Sequence, residues 1–309
     1  MRTRLRSGGD GPAFVVGEVS PLGRLAGVLA VAAALCALVA PAFPLVVERG
    51  GPAVGGAANV WDFLPPLAGA VVLGAAGVLC VRGALPRLAL ATVGTFGAAS
   101  VGLLAQILFR YDTDQRSSRD LPLPVAMMRG FRYDPATGMH LQLAAGVLAV
   151  TALVLVLLAW PRTWMEDDGS FDELRPLFGG LGLFAGFLAA AGMCLAVGDS
   201  AVPAIGPQSL LGRVGLDGWG TGGLAAILLL GGVVAASLRP RLAAVGAYAG
   251  LAAVTGGQAL GGALLVARST MLRPGVGGIT LFLAATAFAA LAVGAWWMSR
   301  EPVPDDDPM

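Results

Sequence analysis

The chain contains no lysine, one histidine and three cysteines, and only 13% of its 309 residues are charged. Soluble domains carry about 25% charged residues, so this scarcity excludes an ordinary water-soluble globule. A hydrophobic share of 56% excludes disorder, because disordered chains are poor in apolar residues. The net charge of +1 supplies no basic face, which argues against a nucleic-acid partner. Cys36, Cys80 and Cys194 stand singly with no C-x-x-C spacing, so they read as small buried hydrophobes. His140 has no cysteine and no convergent carboxylates around it in sequence, a poor basis for a metal site or a catalytic triad. No metal, cofactor or catalytic residue is therefore expected.

What the chain has instead is apolar length. All twenty basic residues are arginine, and glycine contributes 46 residues, a bias of the GC-rich, actinobacterial type. A bilayer core about 30 Å thick needs roughly 20 apolar residues of helix. Eight stretches meet or approach that length: 25–44, 65–81, 88–109, 141–160, 177–197, 221–238, 242–266 and 278–298. They are continuous rather than alternating, which selects helices over a barrel. The first stretch has a basic start and small residues near Ala40–Ala42, features of a signal peptide, yet its long lead-in and its counterpart in mid-chain favour a retained helix. The expected fold is all-α and integral to a membrane, with eight transmembrane helices.

Those helices read as a duplication. Ala26-Gly27-Val28-Leu29-Ala30 in the first run matches Ala185-Gly186-Phe187-Leu188-Ala189 in the fifth. Cys36 to Trp61 and Cys194 to Trp219 are both 25 positions. Pro86-Arg87-Leu88-Ala89 matches Pro240-Arg241-Leu242-Ala243, and Gly138 to Ala145 matches Gly278 to Ala285. Four matches in one order predict two tandem four-helix repeats. An even helix number per repeat gives both the same orientation, related by a pseudo-two-fold axis along the membrane normal. The expected organisation is a flexible cytoplasmic N-terminus (1–21), a first repeat (22–160) with a long external loop (110–140), a cytoplasmic linker (161–176), a second repeat (177–298) and an acidic tail (299–309). In the linker, Ser170-Phe171-Asp172-Glu173 fits a capping box that would start a helix.

Orientation follows from arginine placement. Eleven arginines fall on the side of the N-terminus and nine on the other, a bias that places both termini in the cytoplasm of a plasma-membrane protein. Gly182/Gly186, Gly246/Gly250 and Gly257/Gly261 have the small-xxx-small spacing that lets helices approach closely in lipid. Trp61, Trp160, Trp219, Trp296 and Trp297 stand at segment ends, where amphipathic rings sit at the headgroups.

Two places are candidates for function. Gln106 and Gln258 occupy equivalent helices of the two repeats at similar depth, and would form a polar spot between them. The segment 110–140 has 31 residues against ten in its counterpart 268–277. It opens Phe109-Arg110-Tyr111-Asp112, returns to Phe131-Arg132-Tyr133-Asp134, and carries Arg129 between. Arg110, Tyr111, Asp112, Arg129, Arg132, Tyr133 and Asp134 are its candidate partner- or lipid-docking residues, since long loops in compact proteins are often functional. Asp112-Thr113-Asp114 superficially resembles a metal-binding carboxylate pair, but a lone D-x-D carries little. The general pattern of Arg-bearing turns (82–87, 239–241) and loop tryptophans (Trp61, Trp219) resembles multi-pass proteins of actinobacteria and transfers no role. The first reading is a non-enzymatic structural or accessory subunit of a membrane or envelope assembly, with membrane lipids and another membrane or envelope protein as partners. The second is a transporter or flippase for an apolar or lipid-like substrate, using the groove between repeats.

Overall fold

The computed structural model describes residues 19–48, 53–57, 59–111, 133–163, 171–200, 215–268 and 272–298. Eight helices in it are long and apolar enough to cross a membrane, each with 20 to 28 residues of span. They are α1 (Pro21–Val39), α2 (Leu64–Arg82), α3 (Pro86–Tyr111), α4 (Thr137–Ala159), α5 (Arg175–Cys194), α6 (Gly215–Ser237), α7 (Arg241–Arg268) and α8 (Val276–Trp297). The protein is a mostly helical, multi-pass membrane protein. The expected N-terminal segment and acidic tail lie almost wholly outside the described residues.

The helix boundaries have local causes. Pro21 opens α1 behind Ser20, whose hydroxyl accepts the Gly23 N–H at 3.3 Å. Gly83 closes α2 in the left-handed conformation (φ 72°), with its N–H on the Cys80 and Leu79 carbonyls. The next helix then starts at Pro86, which makes a three-residue turn between two spans sufficient. The Ser170 of the expected capping box lies outside the described residues, but a turn does lead into α5, with the Leu174 and Arg175 N–H groups on the Phe171 carbonyl. That helix begins at Arg175, after a turn over 171–174, and Pro176 fixes its first turn.

Two helices occupy the middle. α3 packs on α2, α4, α6 and α7, while α7 packs on α2, α3, α6 and α8. Around them, α1 lies on α2 and α4, and α5 lies on α6 and α8. Large apolar side chains exposed to the surroundings concentrate on the outer helices, for example Leu157 on α4, Phe184 and Phe187 on α5, and Phe282 on α8. On the central pair they thin out to Val101, Leu108 and Leu265. That distribution suits a bundle whose solvent is hydrocarbon.

Close approach at glycine sets the helix spacing. A Cβ on Gly27 would stand 2.6 Å from the Gly77 carbonyl oxygen, so α1 and α2 meet backbone to backbone. Gly182 and Gly232 do the same for α5 and α6. Where the central helices cross, the Thr92 hydroxyl donates to the Gly246 carbonyl at 2.9 Å. Tyr248, fully buried on α7, places its hydroxyl 3.0 Å from the Phe178 carbonyl and 3.2 Å from that of Gly232, tying α7 to α5 and α6.

Among the described residues, five short strands, which the all-α expectation did not include, sit at the bundle face where α1 ends, called the second face below. β1 (Val46–Glu48) pairs antiparallel with β2 (Ala53–Val54) and with β3 (Tyr133–Pro135). β4 (Gly198–Ser200) pairs antiparallel with β5 (Leu272–Pro274). In both sheets the strand after an ascending helix is fastened to the strand before a descending one. The Gly138 N–H then donates to the Pro44 carbonyl at 2.9 Å, and the Gly277 N–H donates to the Ala196 carbonyl at 3.0 Å.

The opposite, first face is held by arginine on helix ends. Arg87, at the start of α3, donates through Nη2 to the Thr163 carbonyl at 2.5 Å and lies over the Trp160 ring at 4.4 Å. Arg241, at the start of α7, donates through Nη1 to the Met298 carbonyl at 3.1 Å. Both guanidinium groups meet carbonyls at the negative end of a helix. Arg175 pairs with Asp172 at 2.5 Å and reaches the Ser237 and Leu238 carbonyls at 3.3 Å.

Candidate functional site

A partly open cavity of about 420 Å³ lies among α1, α2, α3, α4 and α7. Ligand pockets for small molecules span about 300–1,000 Å³, so this one falls within their range. Its walls are small and apolar: Ala33 and Ala34 from α1, Leu73 from α2, Phe96 from α3, Ala149 from α4 and Val254 from α7. The room exists because alanine and glycine stand where larger side chains would meet. Gly69, Gly146 and Gly257 all line it.

Four polar residues interrupt that wall. Ser100 of α3, Gln142 of α4 and Gln258 of α7 line the cavity within the spans, and Asp62 lines it just ahead of α2. Asp62 belongs to a short 3-10 helix, Val60–Phe63, where it forms a reciprocal cap with Asn59. The Asn59 N–H donates to Asp62 Oδ2 at 3.2 Å and the Trp61 N–H to Asn59 Oδ1 at 3.0 Å. Arg268, the last residue of α7, forms an ion pair with Asp62 and donates to Asn59 Oδ1 at 3.4 Å. The rim charge of the cavity is thus already matched.

The two glutamines singled out in sequence have different surroundings. Gln106 is buried and donates through Nε2 to the Thr221 hydroxyl at 3.0 Å, joining α3 to α6. Gln258 lines the cavity with no hydrogen bond to a described residue. The geometry therefore makes Gln106 a helix–helix contact and puts Gln258 in a site with Gln142 and Ser100. Of the candidate loop residues, Arg110 and Tyr111 close α3, and Tyr133 and Asp134 belong to β3 opposite Glu48 and Val47. These four come to the second face of the bundle. Asp112, Arg129 and Arg132 lie outside the described residues, as does Asp114. His140 sits in the first turn of α4 with Nδ1 2.8 Å from the Ala136 carbonyl oxygen, so this nitrogen carries the proton.

Asp62 and Arg268 were not singled out in sequence. The signal available was Asn59 followed three residues later by Asp62, just before a Pro-Pro helix start, a capping pattern that fixes where the carboxylate sits. Among the described residues, no three His, Cys, Asp or Glu side chains gather to hold a metal ion. Comparison with known protein families, curated proteins and solved structures finds no match to this chain.

Proposed function

We propose that this is a non-enzymatic membrane protein that binds a lipid-like, largely apolar substrate in the α1–α2–α3–α4–α7 cavity and carries it between leaflets. The observation that carries the reading is the cavity itself: apolar, ligand-sized, within the depth of the spans, and bordered by helices from both halves of the chain. Tandem four-helix repeats suit such a role, because movement of one half on the other changes access to a site between them.

Several contacts support the duplication. α1 lies on α2 and α4 as α5 lies on α6 and α8, and α2 meets α7 as α6 meets α3. Arg87 and Arg241 each reach a carbonyl just beyond the last helix of their own half. The turn carbonyls align Gly138 with Gly277, one residue before the Gly278 of the sequence match. Thr92 and Gly246, which touch at the crossing of the central helices, mark where a pseudo-two-fold axis along the membrane normal would pass. Arginine supports a cytoplasmic first face in the plasma membrane: Arg24, Arg82, Arg87, Arg162, Arg175, Arg239 and Arg241 lie there, against Arg110, Arg268 and Arg273 at the second.

The test is flux in reconstituted vesicles. Protein-dependent movement of a fluorescent uncharged glycolipid, a glucosylceramide analogue, between leaflets is expected, and Ala37→Phe with Ala145→Phe, which fill the cavity from two half-buried wall positions, should stop it. Vesicles whose lipid moves no faster than in protein-free controls would overturn the transport reading.

An accessory role in an envelope assembly is the second reading. It is favoured by the anchoring of the long 110–140 segment, which leaves the end of α3 and returns as β3 on β1. Loss of a co-purifying membrane partner on deletion of 113–128 would support it; an unchanged partner would count against it.

A further inference from the structure

We propose that the cavity binds a single uncharged amphiphile, an apolar body bearing a hydroxyl, ester or amide group, with that group held by Ser100, Gln142 and Gln258. The inference rests on the reading of the cavity as a lipid-like site and adds the chemistry of the ligand's polar end.

Ser100 is the first reason. Inside the spans, Thr92, Thr95, Thr151, Thr255 and Thr286 each donate their hydroxyl to the carbonyl four residues earlier, as hydroxyls in apolar helices do. Ser100 does not. It is 8% exposed, lines the cavity, and makes no hydrogen bond to a described residue. A polar side chain at this depth without a partner is costly, and the open volume beside it is where a partner would be.

The amides add direction. Gln142 and Gln258 come from different helices, line the same cavity, and also lack a hydrogen bond to a described residue. Gln106, by contrast, spends its amide on Thr221. Two amides and a hydroxyl provide both donors and acceptors, which suits a carbonyl or hydroxyl on the ligand.

The charge at the site sets the remaining condition. The single acidic liner, Asp62, is held by Arg268. An incoming carboxylate would meet no free cation, and an incoming ammonium would have to compete with Arg268. An uncharged head meets neither penalty.

The experiment uses the full chain in lipid nanodiscs with photoreactive probes of one chain length: a monoacylglycerol, the corresponding fatty acid and the corresponding alkyl trimethylammonium. The monoacylglycerol is expected to label peptides of α3, α4 or α7, with Ala145→Phe blocking the labelling. It should label at least about tenfold better than either charged probe. Gln142→Leu with Gln258→Leu, which removes no described protein–protein hydrogen bond, should keep the thermal melt and lose about tenfold in labelling. Equal labelling by all three probes would overturn the proposal, because the wall alone would then be selecting. Labelling unaffected by the glutamine changes, or absent from these helices, would overturn it as well. Flux without cavity labelling sinks this inference and leaves transport standing; cavity labelling without flux does the reverse.

Discussion

Arg268 at the end of α7 forms an ion pair with Asp62 just ahead of α2, and the same guanidinium also reaches Asn59. Those helices belong to opposite halves of the chain, and the pair sits at the rim of the cavity. Asp62 is mostly buried while Arg268 is nearly half exposed. Asp62→Asn and Arg268→Gln should each lower the thermal midpoint in detergent, and the double variant should cost less than their sum. The expected coupling is about 0.5–1 kcal/mol. Strict additivity would mean the pair contributes nothing to holding the halves together.

The crossing of the central helices should tolerate no side chain at Gly246. A Cβ there runs into the Leu88 carbonyl oxygen, whereas a Cβ on Gly222 of α6 meets nothing within 4 Å. Gly246→Val should destabilise the bundle by about 1–3 kcal/mol through overpacking. Gly222→Ala should lie within about 0.5 kcal/mol of the parent. Equal thermal midpoints for the two variants would contradict the crossing.

Removing the Tyr248 hydroxyl should cost about 0.6–1.7 kcal/mol, the range for hydrogen bonds between helices in a membrane. Tyr248→Phe keeps the ring beside Phe178 and Phe288, at 6.4 Å from each. Tyr248→Ala also empties a fully buried site and should cost about 3–5 kcal/mol. Denaturant unfolding of the two variants in mixed micelles separates the hydroxyl from the ring.

Gln106→Leu and Gln258→Leu look alike in sequence and should behave differently. The first leaves the buried Thr221 hydroxyl without the amide that donates to it, at a cost of about 1 kcal/mol. The second removes no described hydrogen bond and should leave stability unchanged or slightly raised. A larger loss from Gln258→Leu than from Gln106→Leu would reverse the assignment of the two residues.

The eight spans were readable because a 20-residue apolar run has few alternative fates. Which spans are central was less visible, since every one is rich in Ala, Leu and Gly. A partial signal was nevertheless present: α7 has the lowest mean hydropathy of the eight, 1.5, while α3 at 1.8 equals α5 and α6, and the central pair holds Thr92, Ser100, Gln106, Tyr248 and Gln258. Polar residues in a span turn inward. The strands gave no such warning, because Val46–Glu48 and Leu272–Pro274 are three-residue pieces whose pairing depends on helices bringing the turns together. The cavity was equally hidden. It depends on how five helices leave space beside Ala33, Gly69 and Gly146, and no single stretch encodes that.

The arginine grips at the first face have a consequence for biosynthesis. Arg87 holds the carbonyl of Thr163, so the start of α3 is latched to the end of α4 by residues that have both emerged before α5 is made. The start of α7 is latched to the end of α8 in the same manner by Arg241 on Met298. Each half carries its own latch, and the halves meet chiefly through α2, α3, α6 and α7. Two separately translated chains, divided between α4 and α5, are expected to reassemble in the bilayer, which co-purification of the two pieces checks.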